Sequence, residues 1–321
     1  MEETKQSKDK KREIVVVALG RNSFGRTIPE QKEHVHTAAV AVADLVEAGY
    51  IPVVTHSNGP QIGMIQTAMT EYSRLEPEFT VAPMSVCGAM SQGYIGYDLQ
   101  NEIRTELLDR GIYKPVCTII TQVRVDPFDR AFTHPTKVIG RVMNRTEADA
   151  EEAKGNFVTE EDGGFRRIIP SPKPVEIYEI DSIRALVNAE QIVIACGGGG
   201  IPVMQQGTRL KGASAIIEKD ATAARLAGEL DADAMLFLTH REFLTEKTGT
   251  PEEKKIGEIS VAEAEKLIEE QGNFTAGLDK AKMEAAIEFV ASARDKARKA
   301  VITSTENALA GLKGRTGTVI K

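Results

Sequence analysis

The chain has 321 residues, 41% of them hydrophobic and 5% aromatic, with no Trp and a net charge of −7 at pH 7. That length accommodates one large α/β domain or two lobes around a cleft. The acidic balance and the scarcity of rings argue against a general nucleic-acid binder and against a base-stacking surface.

Residues 1–13 read as a disordered polar tail. Ile14-Val-Val-Val-Ala-Leu19 is β-branched and continuous, as a buried strand is. It is too short for a signal h-region or a membrane span, so the cytoplasm is the expected location. Gly20-Arg-Asn-Ser-Phe24 follows as a turn. Val35, Ala38, Ala39, Val42, Leu45 and Val46 then share one helical face, and Gly49 ends that helix. Ile51-Pro-Val-Val-Thr55 is a second strand, and strand–helix–strand order predicts a parallel sheet. His56-Ser-Asn-Gly-Pro-Gln61 is a turn whose Pro60 opens a helix running to about Glu71, and such a turn offers an anion site. A helix from Ser85 to Leu108 is expected to loosen near Gly88, Gly93 and Gly96, and Val116 to Val123 reads as one strand.

From Arg124 to Pro174 prolines, glycines and charges become frequent. This stretch reads as an inserted lid subdomain with a helix over 146–153 and a small core of Phe128, Phe132, Ile139, Val142 and Phe165. Regular α/β character resumes at Ile180, with a helix over 181–189 and a strand over 191–195. A helix over 219–230, a strand from Ala234 to Thr239, helices at 260–270 and 280–293, a strand Val301-Ile-Thr303, a helix over 304–312 and a strand over 316–320 complete the chain. The fold class is therefore α/β, an open, mostly parallel sheet. The expected division is an N-terminal lobe over 14–205, carrying the inserted subdomain 124–174, and a C-terminal lobe over 206–321.

One stretch carries the most chemistry. At Ile194-Ala-Cys-Gly-Gly-Gly-Gly-Ile-Pro-Val203 an apolar run ends in four glycines. Glycines persist where the backbone must pass close to something, and at a strand end that is often an anion held by N–H groups. A tight turn with no ligand is the plainer reading. Glu218-Lys-Asp-Ala-Thr222 adds a cation beside a carboxylate at a helix start, which points to phosphate chemistry. The chain contains neither G-x-x-x-x-G-K-[ST] nor G-x-G-x-x-G. Cys87, Cys117 and Cys196 are too scattered for a disulfide framework or a C-x-x-C metal site, and the five histidines show no metal-ligand spacing.

Together these pieces resemble carbamate kinases of the amino-acid kinase superfamily, over about Ile14 to Lys321. The resemblance rests on Val17-Ala-Leu-Gly20, Asn58-Gly-Pro-Gln61-Ile-Gly63, Ser91-Gln-Gly93 with Ile95-Gly-Tyr97, Val125-Asp-Pro127 and Pro135-Thr-Lys137. It continues through Arg166-Arg167, Pro170-Ser-Pro172, Cys196-Gly-Gly-Gly-Gly-Ile-Pro202, Glu218-Lys-Asp220 and Asp231-Ala-Asp233. It implies a three-layer αβα sheet, a homodimer and reversible phosphoryl transfer between carbamoyl phosphate and ADP. Mg²⁺ would ride on the nucleotide phosphates of ADP or ATP, and arginine catabolism is an implied setting. Two other readings stay open: a kinase for another small carboxylate- or carbamate-like acceptor, and a non-catalytic nucleotide-binding member.

The resemblance also assigns residues. Lys137, Lys219 and Lys282 match family lysines, with Asp220 orienting them. Gly20, Arg21, Asn22, Asn58 and Gly59 would hold the transferred group, and Gly198 and Gly199 would approach the substrate. Nucleotide would be held by Lys219, Asp220, Lys282, Thr239 and Phe243. Departures fall near the phosphoryl group. The family's G-G-N turn is here Gly20-Arg21-Asn22, and Arg21 either blocks the site or supplies a new cation. The late motif reads Gly277-Leu-Asp-Lys-Ala-Lys282, where Asp279 puts a negative charge near an expected anion site and Lys280 offsets it.

Overall fold

In the computed structural model the described residues are 12–25, 27–246, 251–270, 278–293 and 296–321. Nearly all of the expected polar tail, Gly277, and the side chains of Leu278 and Asp279 lie outside that description. The chain opens with β1 (Ile14–Leu19), α1 (Ile28–Glu47), β2 (Ile51–His56), α2 (Gly59–Leu75), α3 (Met84–Asp109), β3 (Val116–Thr118) and β4 (Gln122–Arg124). Next come β5 (Lys137–Met143), α4 (Arg145–Ala153), β6 (Phe157–Glu161) and β7 (Gly164–Ile169). They lead through β8 (Glu176–Ile177), α5 (Ile180–Asn188), β9 (Ile192–Ile194), β10 (Ile201–Gln206) and β11 (Arg209–Gly212) to α6 (Lys219–Glu229) and β12 (Ala234–Thr239). The remainder is β13 (Leu244–Glu246), β14 (Lys254–Ile256), β15 (Glu258–Ile259), α7 (Val261–Glu270), α8 (Leu278–Ala291), β16 (Lys299–Ser304), α9 (Ala308–Leu312) and β17 (Thr318–Ile320).

Among the described residues the principal sheet has eight strands in the order β15-β17-β16-β12-β1-β2-β9-β3. All neighbours run parallel except β16 and β17. Alternation along β1 explains the layers. Val15, Val17 and Leu19 face a core shared with α1, α3 and α9, whereas Val16 and Ala18 face one shared with α5, α6 and α8. Both faces are covered, so the central strands are continuous apolar runs, as parallel sheets require. The halves expected at 14–205 and 206–321 share this sheet, because β1 pairs with both β2 and β12. No described helix is long and apolar enough to cross a membrane.

Three expectations need correction. First, α3 is unbroken from Met84 to Asp109. Gly96 is there for close approach: a Cβ on it would lie 2.3 Å from Thr118 Cγ2, and the Thr118 hydroxyl donates to the Gly96 carbonyl at 3.0 Å. Tertiary packing against α1 and β3 overrides the weak helix propensity of glycine. Second, Val116 to Val123 is not one strand. The chain leaves the principal sheet after β3 and joins another, ordered β11-β10-β4-β8, through β4. Third, the expected small core of the inserted segment does not form. Phe128 is 92% exposed and Val142 is 49% exposed. Phe132 packs on the main core, while Ile139 and Ile169 join Ile62, Met84 and Cys87 beneath the antiparallel sheet β5-β7-β6. That sheet leans on α2 and α3 because it is too small to bury a core of its own.

Candidate active site

In an open parallel sheet the carboxyl ends of the strands form the natural crevice. Gly20 follows β1, Ser57 and Asn58 follow β2, and the four glycines follow the Ile192–Ile194 strand. They meet α6 and the overhanging β5 around a cavity of about 750 Å³. Gly20, Arg21, Asn58, Gly59, Lys137, Gly198, Lys219, Asp220 and Lys282 all line it.

The glycine turn is built by both packing and conformation. Gly198, Gly199 and Gly200 have φ of 65°, 90° and 86°, the left-handed region where a side chain is strained. A Cβ on Gly197 would stand 2.2 Å from His56 Nε2, and one on Gly198 would stand 2.1 Å from Asn58 Nδ2. Cys196 also adopts φ 54°, held by a hydrogen bond from its N–H to Thr121 Oγ1 at 3.0 Å and by one from Thr55 Oγ1 to its carbonyl at 3.0 Å. Gln92 Nε2 donates to the Gly197 carbonyl at 2.9 Å, and Thr222 Oγ1 donates to that of Gly199 at 2.9 Å. The missing side chain of Gly199 lets Ile217 and Lys219 approach: a Cβ would sit 2.4 Å from the Ile217 carbonyl oxygen and 3.3 Å from the Lys219 nitrogen. Gly199 thus seats α6, and Gly198 is the member of the turn that lines the cavity.

The lysines converge on Asp220. Lys219 Nζ donates to its Oδ1, and Lys282 Nζ donates to its Oδ2 at 3.0 Å. All three side chains are buried. Burial alone would raise the Asp220 carboxyl, but the two ammonium groups outweigh it and hold it below the usual carboxylate range. Lys219 is the first residue of α6, where the helix dipole disfavours a cation. Asp220 offsets that cost. Lys137 reaches in from β5 and pairs with Glu218, the N-cap of α6. Arg141 and Arg166 line the same wall from β5 and β7. Around the cavity six basic side chains therefore face two carboxylates, Glu218 and Asp220, among the described lining residues. Such a wall with N–H-rich turns suits a polyanion.

A profile of the amino acid kinase family matches residues 13–304. The chain belongs to the amino acid kinase family. It is 47% identical to the carbamate kinase-like protein YqeA of Escherichia coli (strain K12), over 95% of this chain and 98% of that protein. It is 44% identical to the carbamate kinase of Clostridium perfringens, over 95% and 99% of the two chains. Among solved structures, carbamate kinase from Giardia lamblia bound to AMP-PNP superposes with a TM-score of 0.89 at 35% identity, over 96% of this chain and 98% of that one. The mostly parallel sheet and its layers are thus those of the amino acid kinase fold.

Other residues of this amino acid kinase stand apart from the cavity. The Asn22 side chain bonds His240 Nδ1 at 2.7 Å, and its carbonyl contacts His34 Nδ1 at 2.7 Å, so it braces the turn after β1. Thr239 Oγ1 donates to the Arg241 carbonyl and accepts from the Arg241 N–H, both at 2.9 Å. Phe243 lines a second cavity of about 440 Å³, with Lys255 Nζ 4.8 Å from its ring centroid. Neither Thr239 nor Phe243 is among the described lining residues of the first cavity. Arg141, Glu218 and His56 were not anticipated as site residues. The cue for His56 was its place at the end of the second strand, before the Asn-Gly turn.

His56 is fully buried, and burial pushes its imidazole down to about 4, with the Lys219 charge adding to the effect. It is neutral in the fold, with Nδ1–H donating to the Ser57 carbonyl at 3.0 Å and its ring edge-on to Phe24 at 5.8 Å. The folded state takes up this proton less readily than the unfolded chain. Stability from this group is therefore complete above about pH 6.5, its unfolded value, and is lost as pH falls toward 4. The expected loss is about 3 kcal/mol by linkage. Urea unfolding across that window should lose much of its slope in His56→Gln; an unchanged slope would place the titration elsewhere.

Proposed function

We propose that this chain is a carbamate kinase, moving a phosphoryl group between carbamoyl phosphate and ADP to give ATP and carbamate. The observation that carries the reading is the meeting of Lys137, Lys219 and Lys282 with the turns at Gly20, Asn58 and Gly198 in one cavity. The carbamate kinases named among its relatives supply the reaction.

In the forward step a terminal phosphate oxygen of ADP attacks phosphorus, and the bond from phosphorus to the carbamate oxygen breaks. The leaving carbamate is an anion that needs no protonation, which agrees with a neutral, enclosed His56. The work left to the protein is alignment and neutralisation of the equatorial oxygens. Lys219 and Lys282 are preset by Asp220 and cost little reorganisation when charge moves. Lys137 exchanges Glu218 for substrate oxygens as β5 settles over the cavity. N–H groups at the glycine turn and the start of α2 cradle the phosphoryl group. Mg²⁺ bound to the nucleotide phosphates would supply further neutralisation, while Glu218 and Asp220 in the cavity accept from lysines. The N-terminal half holds carbamoyl phosphate and the C-terminal half holds nucleotide, in the cytoplasm.

The test is direct: purified protein, Mg²⁺, ADP and carbamoyl phosphate, with ATP read by a coupled assay and acetyl phosphate as the comparison. Rapid ATP formation from carbamoyl phosphate supports the proposal. Nucleotide binding without turnover would replace it with a non-catalytic role.

We infer also that the chain is a homodimer. Val86, Met90 and Tyr97 form an exposed apolar row on α3, at spacings of four and seven. Met90→Glu should convert a dimer to a monomer in sedimentation analysis, and an unshifted dimer would clear this face of the role.

A further inference from the structure

Arg21 has no part in the reaction described above, yet among the described residues it is the cavity cation without a carboxylate partner. It lies in the short 3₁₀ turn Arg21–Ser23 after β1. Its stem runs along the first turn of α2: a Cβ on Gly59 would stand 3.2 Å from Arg21 Cγ, 3.4 Å from Cδ and 3.5 Å from Nε. The side chain is thus folded against the helix start and leaves the cavity of about 750 Å³ open. The neighbouring cations have carboxylate partners. Lys137 has Glu218, Lys219 and Lys282 have Asp220, and Arg141 and Arg166 have Glu147 and Glu161. Among the described residues Arg21 has none, and it lines the cavity beside Asn58, Gly59 and Gly198.

We propose that Arg21 is a phosphoryl clamp, a binding residue whose guanidinium donates to the oxygens of the tetrahedral phosphate on the carbamoyl phosphate side. This rests on the kinase reading and goes further in naming what the site selects. A planar fork of donors recognises a phosphate with two parallel bonds, which a lysine cannot reproduce. The site therefore also takes inorganic phosphate, which competes with carbamoyl phosphate and not with ADP. Of the two roles the sequence left open for Arg21, obstruction does not fit a stem packed aside on Gly59.

The experiment compares wild type with Arg21→Gly, Arg21→Gln and Arg21→Lys. Inorganic phosphate binding is followed by calorimetry without nucleotide, and carbamoyl phosphate and ADP are each titrated in the ATP assay. Gly and Gln variants should weaken phosphate binding and raise the carbamoyl phosphate KM by about 10- to 100-fold, the range for losing hydrogen bonds to a charged group. The ADP KM should move by less than about twofold, and Lys should restore only part of the loss. Unchanged phosphate affinity, or faster turnover in Arg21→Gly, overturns the clamp while leaving the kinase reading intact. Arg21-dependent phosphate binding in a wild-type protein that makes no ATP would uphold the clamp and overturn the kinase reading.

Discussion

Lys219→Ala is expected to cut turnover by about a thousandfold, roughly 4 kcal/mol of transition-state stabilisation. The size follows from where the ammonium sits. It is buried, held by Asp220 and seated by the space that Gly199 leaves beside its backbone nitrogen. In the proposed reaction its field would act on the phosphoryl oxygens with little water to screen it. The fold should tolerate the change, because Asp220 keeps its bond from Lys282 at 3.0 Å and no buried charge is orphaned. The melting temperature should stay within a few degrees. ATP formation at saturating substrates measures the effect, and turnover near that of wild type would remove Lys219 from the chemistry.

Asp220→Ala is expected to do the reverse, harming the fold as much as the rate. Removing the carboxylate leaves Lys219 and Lys282 buried together without the group that both address. Stranding buried charge of this kind costs about 3–5 kcal/mol. The dependence on pH gives a second check. The Asp220 carboxyl is depressed in the fold, so its contribution is complete above its unfolded value near about pH 3.9 and is lost as pH falls through the folded value. The stability gap between wild type and Asp220→Ala should therefore be constant through neutral pH and close only in strong acid. His56 acts at higher pH, so the two effects separate in one titration. A variant that melts within a degree or two of wild type would mean that the lysines shed their protons or reach water.

Some of this was legible from residues alone. Continuous β-branched runs such as Ile14 to Leu19 belong to strands covered on both faces, and β1 is buried in that way. The helix α1 was marked by its apolar stripe from Val35 to Val46 and by Gly49 after it, while its capping box at Thr27 and Glu30 was read only from the structure. The lysines were marked by short motifs, and three widely separated ones do line one cavity. Other features depended on neighbours distant in sequence. Gly88, Gly93 and Gly96 suggested a loosened helix, but α3 is kept continuous by the partners on which it packs. Phe128 and Val142 suggested a core, yet Phe128 falls in a turn between β4 and β5, Val142 lies on β5, and both are exposed. Arg141 and Arg166 reach the cavity only because β5 and β7 pair and lean over α2, which no local spacing encodes.

By itself the sequence determined the period of each element and the supply of lysines, because these are local properties of side-chain type and spacing. Tertiary structure decided which cations are matched and which, among the described residues, is not. Pairing Lys219 and Lys282 with Asp220, and Lys137 with Glu218, while Arg21 is set down on Gly59, requires strand ends and helix starts far apart in the chain to meet. Electrostatic roles come from distances through space, and those exist only once the sheet has formed.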